Sequence, residues 1–175
     1  MIKGLLLGII LTLAALCAAG YVYLHLGYFY LGADQKPTFA ESTVAMGALD
    51  AATDRRSEDL KNPLPANETT ITDGAQIYLN HCGGCHGVPS NPDSEFGKSF
   101  YPPVPAFFKA PPDMEEKPNF YIIKHGVRWT GMPAFGSTLN DTQLWQVVTF
   151  LSHIRTLPPA AKNVFDPHPA PPAAH

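Results

Sequence analysis

The longest apolar stretch of the chain lies near its N-terminus. Residues 4–24 contain no charged side chain, and as an α-helix they would extend about 32 Å, enough to cross the hydrocarbon core of a bilayer. Apolar and aromatic residues continue through Leu31, and aromatic side chains of this kind are typical of a membrane interface. The pattern predicts one transmembrane helix within residues 1–33.

Two further segments carry signals of helices. In residues 141–154 apolar positions recur three and four residues apart, which predicts a helix buried along one face. These positions are Leu144, Val147, Val148 and Leu151. Upstream, a second helix is predicted to begin at Thr72 or Asp73, because Asp73 and Gln76 have the spacing of a capping box.

The polar residues between these regions are predicted to form a tether, residues 34–71. Within it, residues 43–60 carry spaced apolar side chains among charges and predict one or two helical turns, which Pro63 and Pro65 end. Two interpretations stay open: a solvated linker that packs partly on its own domain, or a segment that docks on a partner subunit. Residues 72–157 then suffice for one small domain.

Composition and charge narrow the class of protein. Of the 18 prolines, several lie in residues 158–175, where alternation with alanine predicts a tail that is extended on the surface or disordered. The formal net charge is −3 and the chain has no basic run, so nothing favours nucleic acid as a partner.

The most informative polar motif is Cys82-Gly83-Gly84-Cys85-His86. Two cysteines separated by two residues and followed by histidine are the attachment signature of c-type haem, in which each thiol bonds a vinyl group and the imidazole ligates the iron. A structural zinc site would need a second ligand pair at matching spacing, but Cys17 lies far upstream in the apolar stretch. A thioredoxin-like redox pair is expected near a βαβ pattern and gives His86 no role. The motif favours one covalent haem c.

A covalent haem also predicts where the protein is located in the cell, because bacterial c-type haem is attached outside the cytoplasmic membrane. Lys3 and the α-amino group precede the apolar stretch, so the positive-inside rule keeps the N-terminus in the cytoplasm. We therefore expect a single-pass protein of the bacterial inner membrane with its haem domain in the periplasm. The alternatives are a signal peptide cleaved near residues 17–19 and lipidation of Cys17.

With these features, residues 72–157 resemble the class I cytochrome c family, and more narrowly the membrane-anchored bacterial monohaem cytochromes c. The resemblance implies an all-α fold in which the first and last helices cross. The residues at that crossing would be Gly74, Tyr78, Val147 and Phe150. It also implies that Gly131-Met132-Pro133-Ala134-Phe135 is the distal loop, with the Met132 thioether opposite His86.

Other side chains compete for the distal position. Met46 lies in the tether and Met114 in a charged, proline-flanked run, while His125 precedes Met132 by seven residues and would give a bis-imidazole iron. The proline after Met132 and the order of the motifs match the family and favour Met132. Its soft, neutral thioether favours ferrous iron and raises the reduction potential relative to a second imidazole.

The resemblance implies further contacts to the haem. A proline-rich loop at residues 101–105 would pack on the proximal side, where the carbonyl of Pro103 or Pro105 accepts the imidazole N–H. Side chains predicted to hydrogen-bond the propionates are Tyr101, Arg128 and Trp129. Side chains predicted to line the pocket are Phe120, Ile122, Ile123 and Phe135.

A site of this composition predicts outer-sphere electron transfer and no catalysis on a substrate. A filled sixth position argues against oxygen or peroxide chemistry, which needs an open one. We expect an electron carrier between respiratory components, with redox proteins in or at the membrane as partners and no small-molecule substrate. The alternatives are a haem subunit of a larger membrane dehydrogenase or oxidase complex, and a haem sensor or enzyme whose Met132 dissociates.

Overall fold

The N-terminal apolar stretch forms one long helix, α1, Ile2–His25. The structure, a computed structural model, describes residues 2–166, and α1 belongs to the first of two units, which divide after Gly32. By length and composition α1 suffices to cross a membrane, with a mean hydropathy of 2.4, although a signal sequence passes the same test. The predicted apolar helix is therefore present, and it fits both a retained membrane anchor and a cleaved signal sequence.

The second unit consists of helices joined by loops. In chain order they are α2 (Phe39–Ser57), α3 (Glu68–His81), α4 (Gly83–His86), α5 (Glu95–Lys98), α6 (Glu116–His125), a 3₁₀ turn (Phe135–Ser137), α7 (Asp141–Ser152) and α8 (Pro159–Asn163). Within residues 2–166 the β structure is limited to an isolated bridge between Val88 and Asn91. The all-α prediction is confirmed.

Helices α3 and α7 cross at the centre of the domain. A Cβ at Gly74 would overlap the Gln146 carbonyl oxygen and lie 2.8 Å from Phe150 Cβ, so the absence of a side chain lets the two backbones meet. The rings of Tyr78 and Phe150 are fully buried, with centroids 5.0 Å apart, and Val147 is buried beside them. The crossing implied by the family resemblance is confirmed.

Helix α7 buries the face that its periodicity predicts. The four apolar positions Leu144, Val147, Val148 and Leu151 are all at most 5% exposed. At the start of the helix, Asn140 and Gln143 each accept the other's backbone N–H with the side chain, which completes a capping box. Trp145 stacks on Phe120 at a centroid distance of 4.1 Å, and this contact joins α7 to α6.

Helix α3 begins earlier than the sequence predicts. Its N-cap is Asn67, whose Oδ1 accepts the Thr70 N–H at 2.9 Å. Thr72 and Asp73 lie inside the helix, so their prediction as caps is wrong. The additional turn brings Ile71 into the core, where it is 5% exposed, and burial of this side chain stabilises the longer helix.

The residues predicted as a tether are largely helical and pack on the domain. Helix α2 is longer than the one or two turns predicted, and it contacts α6 with a face that buries Thr53 and Ser57. Beyond it, Asn62 Nδ2 donates to Glu116 Oε2 and to Thr149 Oγ1, both at 3.0 Å. These contacts agree with a segment that packs on its own domain.

Residues 158–166 do not form the extended segment that the composition of residues 158–175 predicts. Pro159 lies in the first turn of α8, where its missing N–H removes no helical hydrogen bond. The partly buried ring of Phe165 packs against the core, 5.9 Å from that of Phe150. The prediction is wrong for residues 158–166, because burial of apolar side chains outweighs the proline content. Residues 167–175 lie outside the described residues.

Candidate haem site

The motif from Cys82 to His86 follows directly on helix α3. Cys82 is the C-cap of α3, and the next four residues form α4. The Cys82 carbonyl oxygen accepts the N–H of Cys85 at 3.1 Å and that of His86 at 2.8 Å. One helical turn therefore separates the two thiols, which are partly buried, and the imidazole follows at the next position.

The His86 imidazole is buried and held by a main-chain group. Its Nδ1 lies 2.8 Å from the Pro105 carbonyl oxygen, and as donor in this bond it leaves the Nε2 lone pair for a metal ion. The Phe107 ring stacks on the imidazole at a centroid distance of 4.3 Å. Burial lowers the pKa of His86, against the opposing effect of the bond to Pro105. The neutral imidazole is the form that ligates metals.

The Cys82 thiol lies in surroundings that keep it protonated. Burial raises the pKa of Cys82 to about 12, with a smaller contribution from the neighbouring Cys85. Redox-active cysteine pairs have the opposite property, a depressed pKa. A zinc site needs further ligands, and among residues 2–166 no group of three or more His, Cys, Asp or Glu is placed to hold a metal ion.

The segment from Asp93 to Lys109 packs beside the motif. Ser94 Oγ donates to the Gly84 carbonyl oxygen at 2.5 Å, which ties the start of α5 to α4. The Asp93 carboxylate pairs with Lys109 at 2.5 Å and with Lys98 at 2.9 Å, and hydrogen bonds from these two side chains lower the pKa of Asp93. The ion pair between Asp93 and Lys109 joins the two ends of this segment.

The loop that carries Met132 contacts both flanks of the motif. Gly131 lies so close to the Phe100 ring, just after α5, that a Cβ would overlap it. On the other flank, the Phe135 ring lies 6.1 Å from that of His81 at the end of α3. Met132 itself is partly buried and packs against the core. The distal loop and the motif therefore lie at the same end of the domain.

The rival distal ligands have other surroundings. His125 is the exposed last residue of α6, and its ring lies 4.4 Å from that of Tyr121 one turn earlier. Met46 lies on α2 and is 52% exposed. Met114 lies just before α6, where its carbonyl oxygen accepts the Asn119 side chain at 3.0 Å.

The side chains predicted to contact the haem propionates lie at the surface or have a protein partner. The Tyr101 hydroxyl donates to Glu41 Oε1 of α2 at 2.5 Å. Arg128 is exposed, and Trp129 is 91% exposed. Of the two candidate prolines in the preceding loop, Pro103 is exposed and Pro105 is the one that meets His86. The propionate contacts stay predictions.

The side chains predicted to line the pocket lie in or beside the core. Phe120 and Ile123 are buried, whereas Ile122 and Phe135 are partly buried. Their contact with haem also stays a prediction. Phe107 is not among the predicted site residues, although its ring covers the imidazole. No local signal in the sequence marks it, because Phe107 lies in a loop far along the chain from His86.

This donor set fits a covalent haem. It contains two free thiols one helical turn apart, an imidazole whose Nδ1 is engaged, and a thioether on a loop at the same end of the domain. These are the groups that c-type haem requires for attachment and axial ligation. The fold and the site together define a c-type cytochrome domain.

Comparison with known families agrees with this class of protein and points to one family within it. Residues 69–151 match the family described as Cytochrome C oxidase, cbb3-type, subunit III. These residues, a little under half of the chain, form a cytochrome c domain of the cbb3 subunit III type, which confirms the resemblance found in the sequence. Such a domain implies covalent haem c and electron transfer. Searches of curated proteins and of solved structures found no match.

Proposed function

We propose that the chain is a membrane-anchored cytochrome with one haem c that passes single electrons between respiratory components. When bound, the haem supplies a reversible one-electron couple between iron(III) and iron(II). In this proposal Cys82 and Cys85 would hold the group covalently, and His86 and Met132 would ligate its iron. Helix α1 keeps the protein in the bacterial inner membrane, and the haem domain lies in the periplasm.

The observation that carries the proposal is the contact of His86 Nδ1 with the Pro105 carbonyl oxygen at 2.8 Å. A histidine held in this way keeps its tautomer and ring orientation and becomes a more basic ligand. Met132 adds a second, neutral ligand, and a filled coordination sphere leaves no position for a substrate. These properties suit electron transfer better than bond making.

The first prediction concerns covalent attachment. Replacing both Cys82 and Cys85 with alanine should abolish haem staining of the protein on a denaturing gel, because no thioether bond can form. Either single replacement leaves at most one bond and should weaken the stain. The chain offers a matched control in Cys17, which lies in α1 and is exposed: Cys17→Ala should stain like the wild type. Full staining of the double variant would overturn the haem assignment.

The family match favours a second candidate, a haem subunit of a larger membrane oxidase. The matched family is described as a subunit of cbb3-type cytochrome c oxidase, so the electron partner would be another subunit of the same particle. Purification of the full chain in mild detergent, followed by mass measurement and identification of companion proteins, separates the two candidates. A free carrier gives one chain with its detergent, whereas a subunit gives a larger particle of fixed composition.

A further inference from the structure

A side-chain hydroxyl closes the loop between α6 and the 3₁₀ turn. Thr130 Oγ1 donates to the Val127 carbonyl oxygen at 2.8 Å and accepts the Met132 N–H at 3.1 Å. The Val127 N–H in turn donates to the Met132 carbonyl oxygen at 3.1 Å. Both backbone polar groups of Met132 are therefore engaged, the carbonyl by main chain and the N–H by the threonine.

The residue just before Thr130 has an unfavourable backbone conformation. Trp129 has a φ of 61°, a region that bulky side chains rarely adopt. Its indole is 91% exposed, so packing of that side chain does little to hold the conformation. The hydroxyl of Thr130 bridges the chain on either side of this position, and it stabilises a turn that the local sequence disfavours.

The end of α6 lies directly against the main chain of the same loop. Gly126 has a φ of 68°, and a Cβ there would lie 2.8 Å from the Met132 carbonyl oxygen and 2.7 Å from the Pro133 carbonyl carbon. The main chain of Met132 thus rests directly on the helix end. With this support and the Thr130 bridge, the Cα of Met132 has a fixed position from which its flexible side chain extends.

We propose that Thr130 is a positioning residue, whose hydroxyl holds the Met132 backbone so that the thioether stays at the distal position of the haem. The inference rests on the proposed ligation of iron by Met132. A thioether is a soft ligand and binds iron(III) weakly. Occupancy of the distal position in the oxidised protein therefore depends on how well the loop presents the sulfur, and loss of the hydroxyl bonds loosens that presentation.

The test compares two replacements of Thr130 in the haem-loaded full chain. Thr130→Val keeps the shape of the side chain and removes both hydroxyl bonds, whereas Thr130→Ser keeps the hydroxyl. Exogenous imidazole competes with Met132 for iron(III), and we expect it to bind Thr130→Val about tenfold more tightly than the wild type. The far-red charge-transfer band of thioether-ligated iron(III) should weaken in parallel. In Thr130→Ser both readouts should stay within about twofold of the wild type.

Thr138→Val is the matched control. This threonine lies on the other side of Met132, is exposed, and makes one long contact of 3.4 Å to the Phe135 carbonyl oxygen, so its variant should behave like the wild type. Wild-type imidazole affinity and band intensity in Thr130→Val would overturn the proposal, even if its melting temperature falls. Failure of Thr130→Ser to restore both readouts would overturn it as well.

Met132→Ala distinguishes a failure of this inference from a failure of the proposed function on which it rests. If Met132→Ala loses the band and binds imidazole tightly while Thr130→Val matches the wild type, the ligand is correct and the positioning role is wrong. If Met132→Ala keeps the band and the wild-type affinity, the ligation by Met132 is itself wrong, and the positioning role is refuted with it.

Discussion

Two side chains around the motif are held by main-chain carbonyl oxygens. His86 meets Pro105, and the buried Tyr78 hydroxyl donates to the Gly87 carbonyl oxygen at 2.9 Å. Burial raises the pKa of Tyr78 far above its usual value, with a smaller contribution from Cys82. The phenol therefore stays neutral and anchors the chain directly after the imidazole.

Tyr78→Phe should reduce the free energy of unfolding of the haem-loaded protein by about 1–3 kcal/mol at neutral pH, because it leaves the buried Gly87 carbonyl without its donor. Since the folded pKa is raised, the contribution of Tyr78 is present below the unfolded pKa of about 10 and is lost as the pH rises above it. Denaturant titrations at neutral and alkaline pH measure both effects. An equal alkaline loss in the wild type and the variant would contradict this account.

The axial ligands give a spectroscopic prediction. Met132→Ala should open the sixth position, so that the reduced protein binds carbon monoxide, whereas Met132→His should stay six-coordinate and low-spin with a lower reduction potential. The wild type should bind no carbon monoxide without denaturant. His125→Ala is the control, and it should match the wild type in both measurements. If His125→Ala opened the site and Met132→Ala did not, the assignment of the distal ligand would be reversed.

Among the secondary-structure elements, the crossing of α3 and α7 depends on the small size of Gly74. Gly74→Ala should destabilise the domain by about 1–3 kcal/mol, because a Cβ there would meet the Gln146 carbonyl and Phe150. Gly47 on α2 provides the control, since a Cβ there would meet no atom within 4 Å. Gly47→Ala should be neutral or stabilising, as alanine favours helix. Thermal unfolding of both variants measures the contrast, and similar melting temperatures would refute the close approach.

Local signals in the sequence explain which elements could be predicted. The face of α7 follows from periodicity alone, and the haem motif is a run of five adjacent residues. The start of α3 depends on the burial of Ile71 in the core. The sequence does not reveal this start, because Asn67, Thr72 and Asp73 are all residue types that can cap a helix. The packing of Phe165 and the stack of Phe107 on His86 bring together residues far apart in the chain. No local pattern encodes such contacts, so the sequence alone could not provide them.

For the whole molecule, the division after Gly32 leads to a prediction about the membrane. A chain that begins at Asp34 behind a cleavable export signal should mature into a soluble red protein, because within residues 2–166 the buried hydrophobic core consists of side chains from Ile71 to Ala161. The full chain should remain in the membrane fraction through high-salt and alkaline washes. Its release by either wash would favour signal cleavage over a retained anchor.

The aromatic cluster that Phe165 completes decides where this protein can be shortened or labelled. The Phe165 ring contacts those of Tyr78, Phe108 and Phe150, yet the family match ends at residue 151. A fragment trimmed to the matched residues would expose these rings to water and would also lose the bonds made by Asn62. Expression boundaries therefore belong outside both contacts, and an affinity tag or fluorophore belongs beyond Asp166.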